Sequence, residues 1–288
     1  MSQSLLGVLF LVLAVLATAA FSLIMRYSQE KGYSVLAVGG VNYLAAAALA
    51  ACLPAARQLG QVSAGLWLLA AASGLGFLLT YLLLTPAMLR HGVTIPTAAV
   101  QIAMVVPVVL AACFWHEPLR PVQVLGVAVG VAAILLLAPP RGEGEGHASL
   151  WSYLLIPAIF TLSGASRVAQ KAIAVYAPHG EQAALALIWF AAAAVSSVFM
   201  LTRIGWPRRG GEWLAGIALG AANLACLVFL FRTLSLLPAA VVFPIVSCLS
   251  LVLISTGGFV WWGERLTRRG TMGLAAGLLA VVLVSMRS

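Results

Sequence analysis

The stretch Trp115-His116-Glu117-Pro118-Leu119-Arg120-Pro121, followed by Gly126 and Gly130, decides how this chain is read, because it is written twice. Near the C-terminus Trp262-Gly263-Glu264-Arg265-Leu266 leads into Gly273 and Gly277. Glu117, Leu119, Gly126 and Gly130 each recur 147 residues further on as Glu264, Leu266, Gly273 and Gly277. One offset shared by four positions marks an internal duplication, and each copy closes a series of apolar segments.

Composition fixes the medium. Of the residues, 63% are hydrophobic and 8% charged, there is no Asp, and the mean hydropathy is +1.08. A soluble domain carries charge on about a quarter of its residues, so this chain reads as an integral membrane protein. Its net charge of +9 sits on Arg and Lys placed almost entirely between apolar runs, where loops and lipid headgroups hold them. That placement argues against nucleic acid as a partner and for membrane lipid. The cysteines (Cys52, Cys113, Cys226, Cys248) show no metal or redox spacing, and the histidines (His91, His116, His147, His179) form no i, i+4 pair. Neither a metal nor a cofactor is implied.

Ten apolar segments follow one another, each near the length that spans a bilayer core as helix. They cover residues 5–25, 35–53, 64–89, 93–115 and 122–138, then 150–176, 183–201, 213–231, 239–262 and 271–286. Residues 26–34 read as a loop. The Pro-, Gly- and charge-rich stretch at 139–149 reads as a flexible linker. The expected organisation is a first repeat at 1–138, that linker, and a second repeat at 150–288. Five spans is an odd number, so the second copy must enter the membrane from the opposite face. The fold class expected is therefore all-α integral membrane, ten transmembrane helices in two inverted five-helix repeats, with a site near the midplane.

Ten short helices, with Glu-x-Leu and Gly-x-x-x-Gly closing each half, resemble the drug/metabolite transporter superfamily, specifically its EamA-type ten-helix members. The resemblance covers nearly the whole chain. Members often open each half with Trp-Gly-Ser and a basic residue further along; here the Trp-Gly-Ser is absent, while Arg26 and Lys171 stand at comparable places. The resemblance implies a transporter of small molecules with both termini in the cytoplasm.

The residues themselves sort by chemistry. Glu117 and Glu264 stand at segment edges beside Arg120 and Arg265, which suits a helix-end or loop-locking role. Gly126, Gly130, Gly273 and Gly277 allow close helix approach, within a monomer or across a homodimer. Pro96, Pro107 and Pro244 remove backbone donors inside segments and are read as kinks or gates. Thr94, Thr97, Gln101 and Met104 share one face, which should look inward. Asn42, Tyr43 and Asn223 lie near segment centres, where an unpaired amide costs several kcal/mol, on the order of 2–7. With Ser247 and Ser250 they suggest a polar lining.

Arg167 is the sharpest signal. Arg inside a bilayer costs about 2.5–3.5 kcal/mol on insertion scales, so it faces a wet cavity or snorkels to an interface. Ser163, Arg167 and Gln170 share a face, and a guanidinium can grip a carboxylate with two parallel bonds. No Asp or Glu falls near a segment centre, which counts against proton-coupled export of lipophilic cations and against catalysis. The reading reached is a secondary transporter exporting amino acids or related organic acids, not an enzyme, in the inner (plasma) membrane of a bacterial cell. The alternative is a quaternary-ammonium exporter with an aromatic cage of Tyr43, Tyr81 and Trp189; a passive channel or scramblase is a third class. Basic residues on the loops opposite the termini outnumber those on the terminal side, so the positive-inside rule sets the termini outside. That count is preferred to the family expectation, because Met1-Ser2-Gln3-Ser4 lacks a basic anchor.

Overall fold

The structure, a computed structural model, describes residues 3–53, 62–114, 120–137, 150–176, 182–237 and 239–286. Among them are eleven helices and no strand: α1 (Gln3–Glu30), α2 (Val35–Ala51), α3 (Ala64–His91), α4 (Thr94–Ile102), α5 (Val105–Phe114) and α6 (Pro121–Leu137) in the first half, then α7 (Leu150–Tyr176), α8 (Gln182–Ile204), α9 (Gly210–Leu236), α10 (Ala239–Trp262) and α11 (Arg268–Ser285). Five of these hold a stretch long and apolar enough to cross a membrane, at Leu5–Glu30, Ala64–His91, Ala186–Arg203, Gly210–Thr233 and Ile245–Trp262. Residues 115–119 and 139–149, which hold the Glu117 motif and the expected linker, lie outside the described residues.

Two elements differ from their sequence reading. The stretch 26–30, expected as loop, continues α1. Its polar side chains bond along the helix, Ser28 Oγ to the Ile24 carbonyl at 2.8 Å and Arg26 Nη1 to Gln29 Oε1 at 3.5 Å, so charge alone does not end the helix. The segment 93–115, expected as one helix, is two, with a turn at Ala103 and Met104.

The described chain forms two compact units, each drawing on both halves of the sequence. The first holds residues 1–82 and 169–238; the second holds 83–168 and 239–288. The three boundaries fall inside α3, inside α7 and between α9 and α10. Pro86 lies just past the first boundary, inside α3; it has no N–H for the carbonyl four residues back, at Leu82.

In the first unit α2 packs on α8 and on α9, and α1 packs on α9. Lipid tails are as apolar as the side chains, so such contacts depend on fit between surfaces. Gly216 and Gly220, one turn apart on α9, let α2 come close: a Cβ at Gly220 would stand 2.5 Å from the Asn42 carbonyl oxygen. Phe10 of α1 stacks on Phe229 of α9 at 6.1 Å between centroids. In the second unit α6 packs on α11, and α4 packs on α10 and α11. Gly130 and Gly277 sit at these contacts; a Cβ on Gly130 would lie 3.0 Å from Val105 and 3.5 Å from Ala280, and one on Gly277 would press on the Ile102 side chain. Gly126 and Gly273, one turn before them, are buried too.

The two glycine contacts differ in what can yield. At Gly220 the obstacle is backbone, at Gly277 the end of a flexible side chain. Gly220→Ala is expected to cost about 1–3 kcal/mol and Gly277→Ala clearly less, read as shifts in thermal unfolding of the detergent-solubilised protein. Equal losses would show that α2 and α9 do not approach this closely.

Candidate functional site

The break between α4 and α5 starts from Pro107, which offers no N–H to the Ala103 carbonyl and crowds it. The helix ends at Ile102 and restarts at Val105. Across the turn the bonds shorten to three-residue steps: Met104 N–H donates to the Gln101 carbonyl at 3.4 Å, Val106 N–H to Ala103 at 3.1 Å. Pro96 and Pro107 thereby become the third residues of α4 and α5, in a first turn whose N–H groups have no intrahelical partner anyway.

A regular helix would give the Met104 N–H to the Val100 carbonyl. That carbonyl instead accepts from Arg167 Nη2 at 3.3 Å, and the same nitrogen donates to Gln101 Oε1 at 3.1 Å. The guanidinium, from within α7, repairs the bond pattern that Pro107 disturbs; non-helical backbone at membrane depth requires such a partner. Gln101 is buried and Arg167 half-buried.

The other end of α4 is held by Glu264. Gly263, at φ +61, turns the chain back over α10, so that Glu264 N–H reaches the Gly258 carbonyl. The carboxylate then accepts from Val93 N–H at 2.8 Å (Oε1), and from Thr94 N–H at 3.4 Å and Thr94 Oγ at 3.2 Å (Oε2). Room for it comes from Gly92, at φ +71, where a Cβ would stand 2.5 Å from the carboxylate carbon, and from Gly258. The loop-locking role read from the Glu-x-Leu motif takes this form at Glu264: an anion on the donors at a helix start.

The first unit repeats the device with a residue the sequence reading did not single out. Glu212, in the first turn of α9, accepts from Ser34 N–H at 2.9 Å before α2, and from Arg208 and Arg209 N–H at 2.7 and 3.1 Å. The available signal was Glu at the third helical position after a polar loop.

Deeper in that unit Asn223 Nδ2 donates to Asn42 Oδ1 at 3.3 Å, joining α9 to α2. One turn further along α9, Cys226 Sγ meets Thr18 Oγ1 of α1 at 3.0 Å. The aromatic residues are spent on packing and on backbone. Tyr43 donates to the Phe77 carbonyl at 2.8 Å and Tyr81 to Val35 at 2.9 Å. Their rings meet edge to face at 6.1 Å, and Trp189 meets Phe77 edge on at 5.0 Å.

The candidates therefore fall into two groups. Asn42, Asn223, Tyr43, Tyr81 and Trp189 belong to the first unit, with Gln170 just past the α7 boundary; Gln101, Ser163, Arg167 and Ser247 belong to the second. Direct contact joins Arg167 to Gln101, Asn42 to Asn223 and Tyr43 to Tyr81. Asn42 Nδ2, Trp189 Nε1, Ser163 Oγ and Ser247 Oγ are buried without a hydrogen-bond partner among the described residues. Thr94 spends its hydroxyl on Glu264, and Thr97 spends its own on the Val93 carbonyl at 2.6 Å. Pro244 lies within α10, and the Lys171 side chain lies outside the described residues.

Residues 5–138 match the EamA-like transporter family. A crystal structure of a protein 18% identical to this chain superposes with a TM-score of 0.63, covering 96% of this chain and 94% of its own, which shows a shared fold. No curated protein matches.

The amide pair allows a direct test. In a double-mutant cycle of Asn42→Leu and Asn223→Leu, unfolding in mixed micelles is expected to show coupling of about 0.6–1.7 kcal/mol, the range for hydrogen bonds between membrane helices. Additive losses would show that the two amides do not pair.

Proposed function

We propose, from the membership of residues 5–138 in the EamA-like transporter family of the drug/metabolite transporter superfamily, that this chain exports amino acids or related small organic acids. It does so as a ten-span protein of a bacterial inner membrane, in which two inverted repeats alternate access to a site near the midplane. The coarser part, a multi-pass membrane transporter of the drug/metabolite type, follows from the family and the apolar helices.

The observation that carries the substrate class is the Arg167 contact at the α4–α5 break. Its Nη2 donates to two neutral oxygens, the Val100 carbonyl and Gln101 Oε1. A carboxylate makes hydrogen bonds to guanidinium roughly twice as strong as a neutral acceptor does. An anionic substrate therefore competes for Arg167 on favourable terms, and winning it removes the support from the broken helix. Substrate binding and a change in the backbone at membrane depth become one event. Gln101, once displaced, can bond the substrate in turn, and Ser163, one turn before Arg167, adds a buried hydroxyl. The alternative, export of quaternary ammonium cations by Trp189, Tyr43 and Tyr81, is supported less well. Those rings meet one another and Phe77 edge to face, and both tyrosine hydroxyls are committed to backbone.

Counterflow in proteoliposomes loaded with pooled amino acids, at two external pH values, is expected to show saturable exchange by the wild type. Arg167→Ala should lower it tenfold or more, and Arg167→Lys should restore part of it. Exchange unchanged in Arg167→Ala, or transport of quaternary ammonium compounds alone, would overturn the reading.

A further inference from the structure

α4 is nine residues long, shorter than a helix that holds itself in isolation. Both its ends are held by side chains from elsewhere in the sequence. Glu264 binds the Val93 and Thr94 donors at its start, and Arg167 binds the Val100 carbonyl and the Gln101 side chain at its last turn. Its neighbour in design makes the contrast clear. Glu212 accepts from the Ser34 N–H before α2, but α2 runs unbroken from Val35 to Ala51.

We infer that α4 is a separately hinged rod, with Glu264 as the pin that keeps its N-terminal end in register while its C-terminal end is released from Arg167. Three glycines serve this pin. Gly263 aims the carboxylate, and Gly92 and Gly258 leave the space it occupies. With one end fixed, release at the other becomes a swing of defined direction; with neither end fixed, the segment loses its register against α10 and α11. Glu264 touches no substrate. It is a positioning residue, and it governs how fast the cycle turns over more than how tightly solute binds. This kinetic part rests on the transport reading above; the hinge itself does not.

The test is hydrogen–deuterium exchange on the full-length protein, resolved to the amides of residues 93–94 and 100–104, paired with counterflow kinetics. In Glu264→Gln the amides of Val93 and Thr94 are expected to exchange at least tenfold faster, with residues 100–104 within twofold of wild type. In Arg167→Met the pattern reverses. Counterflow by Glu264→Gln should lose Vmax about tenfold with KM within threefold, and Glu264→Asp should recover part of the rate. Should Glu264→Gln fail to fold, Thr94→Val removes one of the three bonds while keeping shape, and about threefold faster exchange at the same two amides is expected. Unchanged exchange at Val93 and Thr94, or equal acceleration along the whole of 93–104, would overturn the hinge. If the wild type moves no solute, the transport reading falls while the exchange measurement still decides the hinge.

Discussion

A backbone N–H or carbonyl inside hydrocarbon has no water to turn to, and leaving it unpaired costs several kcal/mol, roughly 2–7. Much of the polar chemistry in this protein answers that constraint. Helices satisfy their own interiors; what remains are helix starts and breaks, and these draw in the side chains that looked expensive in the sequence. Glu264 and Glu212 go to helix starts, and Arg167 goes to the break made by Pro107. These three charged side chains thus sit where the backbone lacks partners of its own.

This view changes how Arg167 is understood. A residue that holds a broken helix together and a residue that grips a substrate are usually treated as rival descriptions. In the transport cycle proposed above the two roles fall to the same nitrogen, so that substrate displaces the helix contact. A purely structural ligand would be better served by a neutral donor such as Gln, which avoids the insertion cost of a charge. Arg binds neutral oxygens adequately and carboxylates better.

Much of the architecture was legible because it is repetitive or periodic. Apart from 93–115, which is split in two, the apolar segments reappear as helices with edges moved by a few residues, and the Glu264 motif stands where chain reversal follows α10. What stayed hidden has a common cause: it depends on partners distant in sequence. That Glu264 is an edge carboxylate is visible locally, but that its donors are Val93 and Thr94, 171 and 170 residues away, is not. Gly216 and Gly220 have the same four-residue spacing as Gly126 and Gly130, yet they escaped notice because they belong to no duplicated motif. The break at Ala103 was within reach of local reasoning, since it lies four residues before Pro107, where the ring collides. Reading that proline as a kink understated its effect. The aromatic residues show the same limit: their chemistry was plain in the sequence, while the edge-to-face contacts and backbone bonds they make were not.

The carboxylate caps also dictate an order of events during synthesis. The start of α2 waits for Glu212, 178 residues downstream, and the start of α4 waits for Glu264. Until then the N–H groups of Ser34, Val93 and Thr94 must borrow partners from headgroups or water, although Ser34 Oγ already caps the Ala37 N–H of α2. The segment that matches the family, residues 5–138, thus leaves the ribosome with two of its helix starts uncapped by their eventual carboxylates. The older half of the nascent chain depends on the younger for completion. A chain ended between residues 212 and 264 would hold the carboxylate of one unit and lack that of the other.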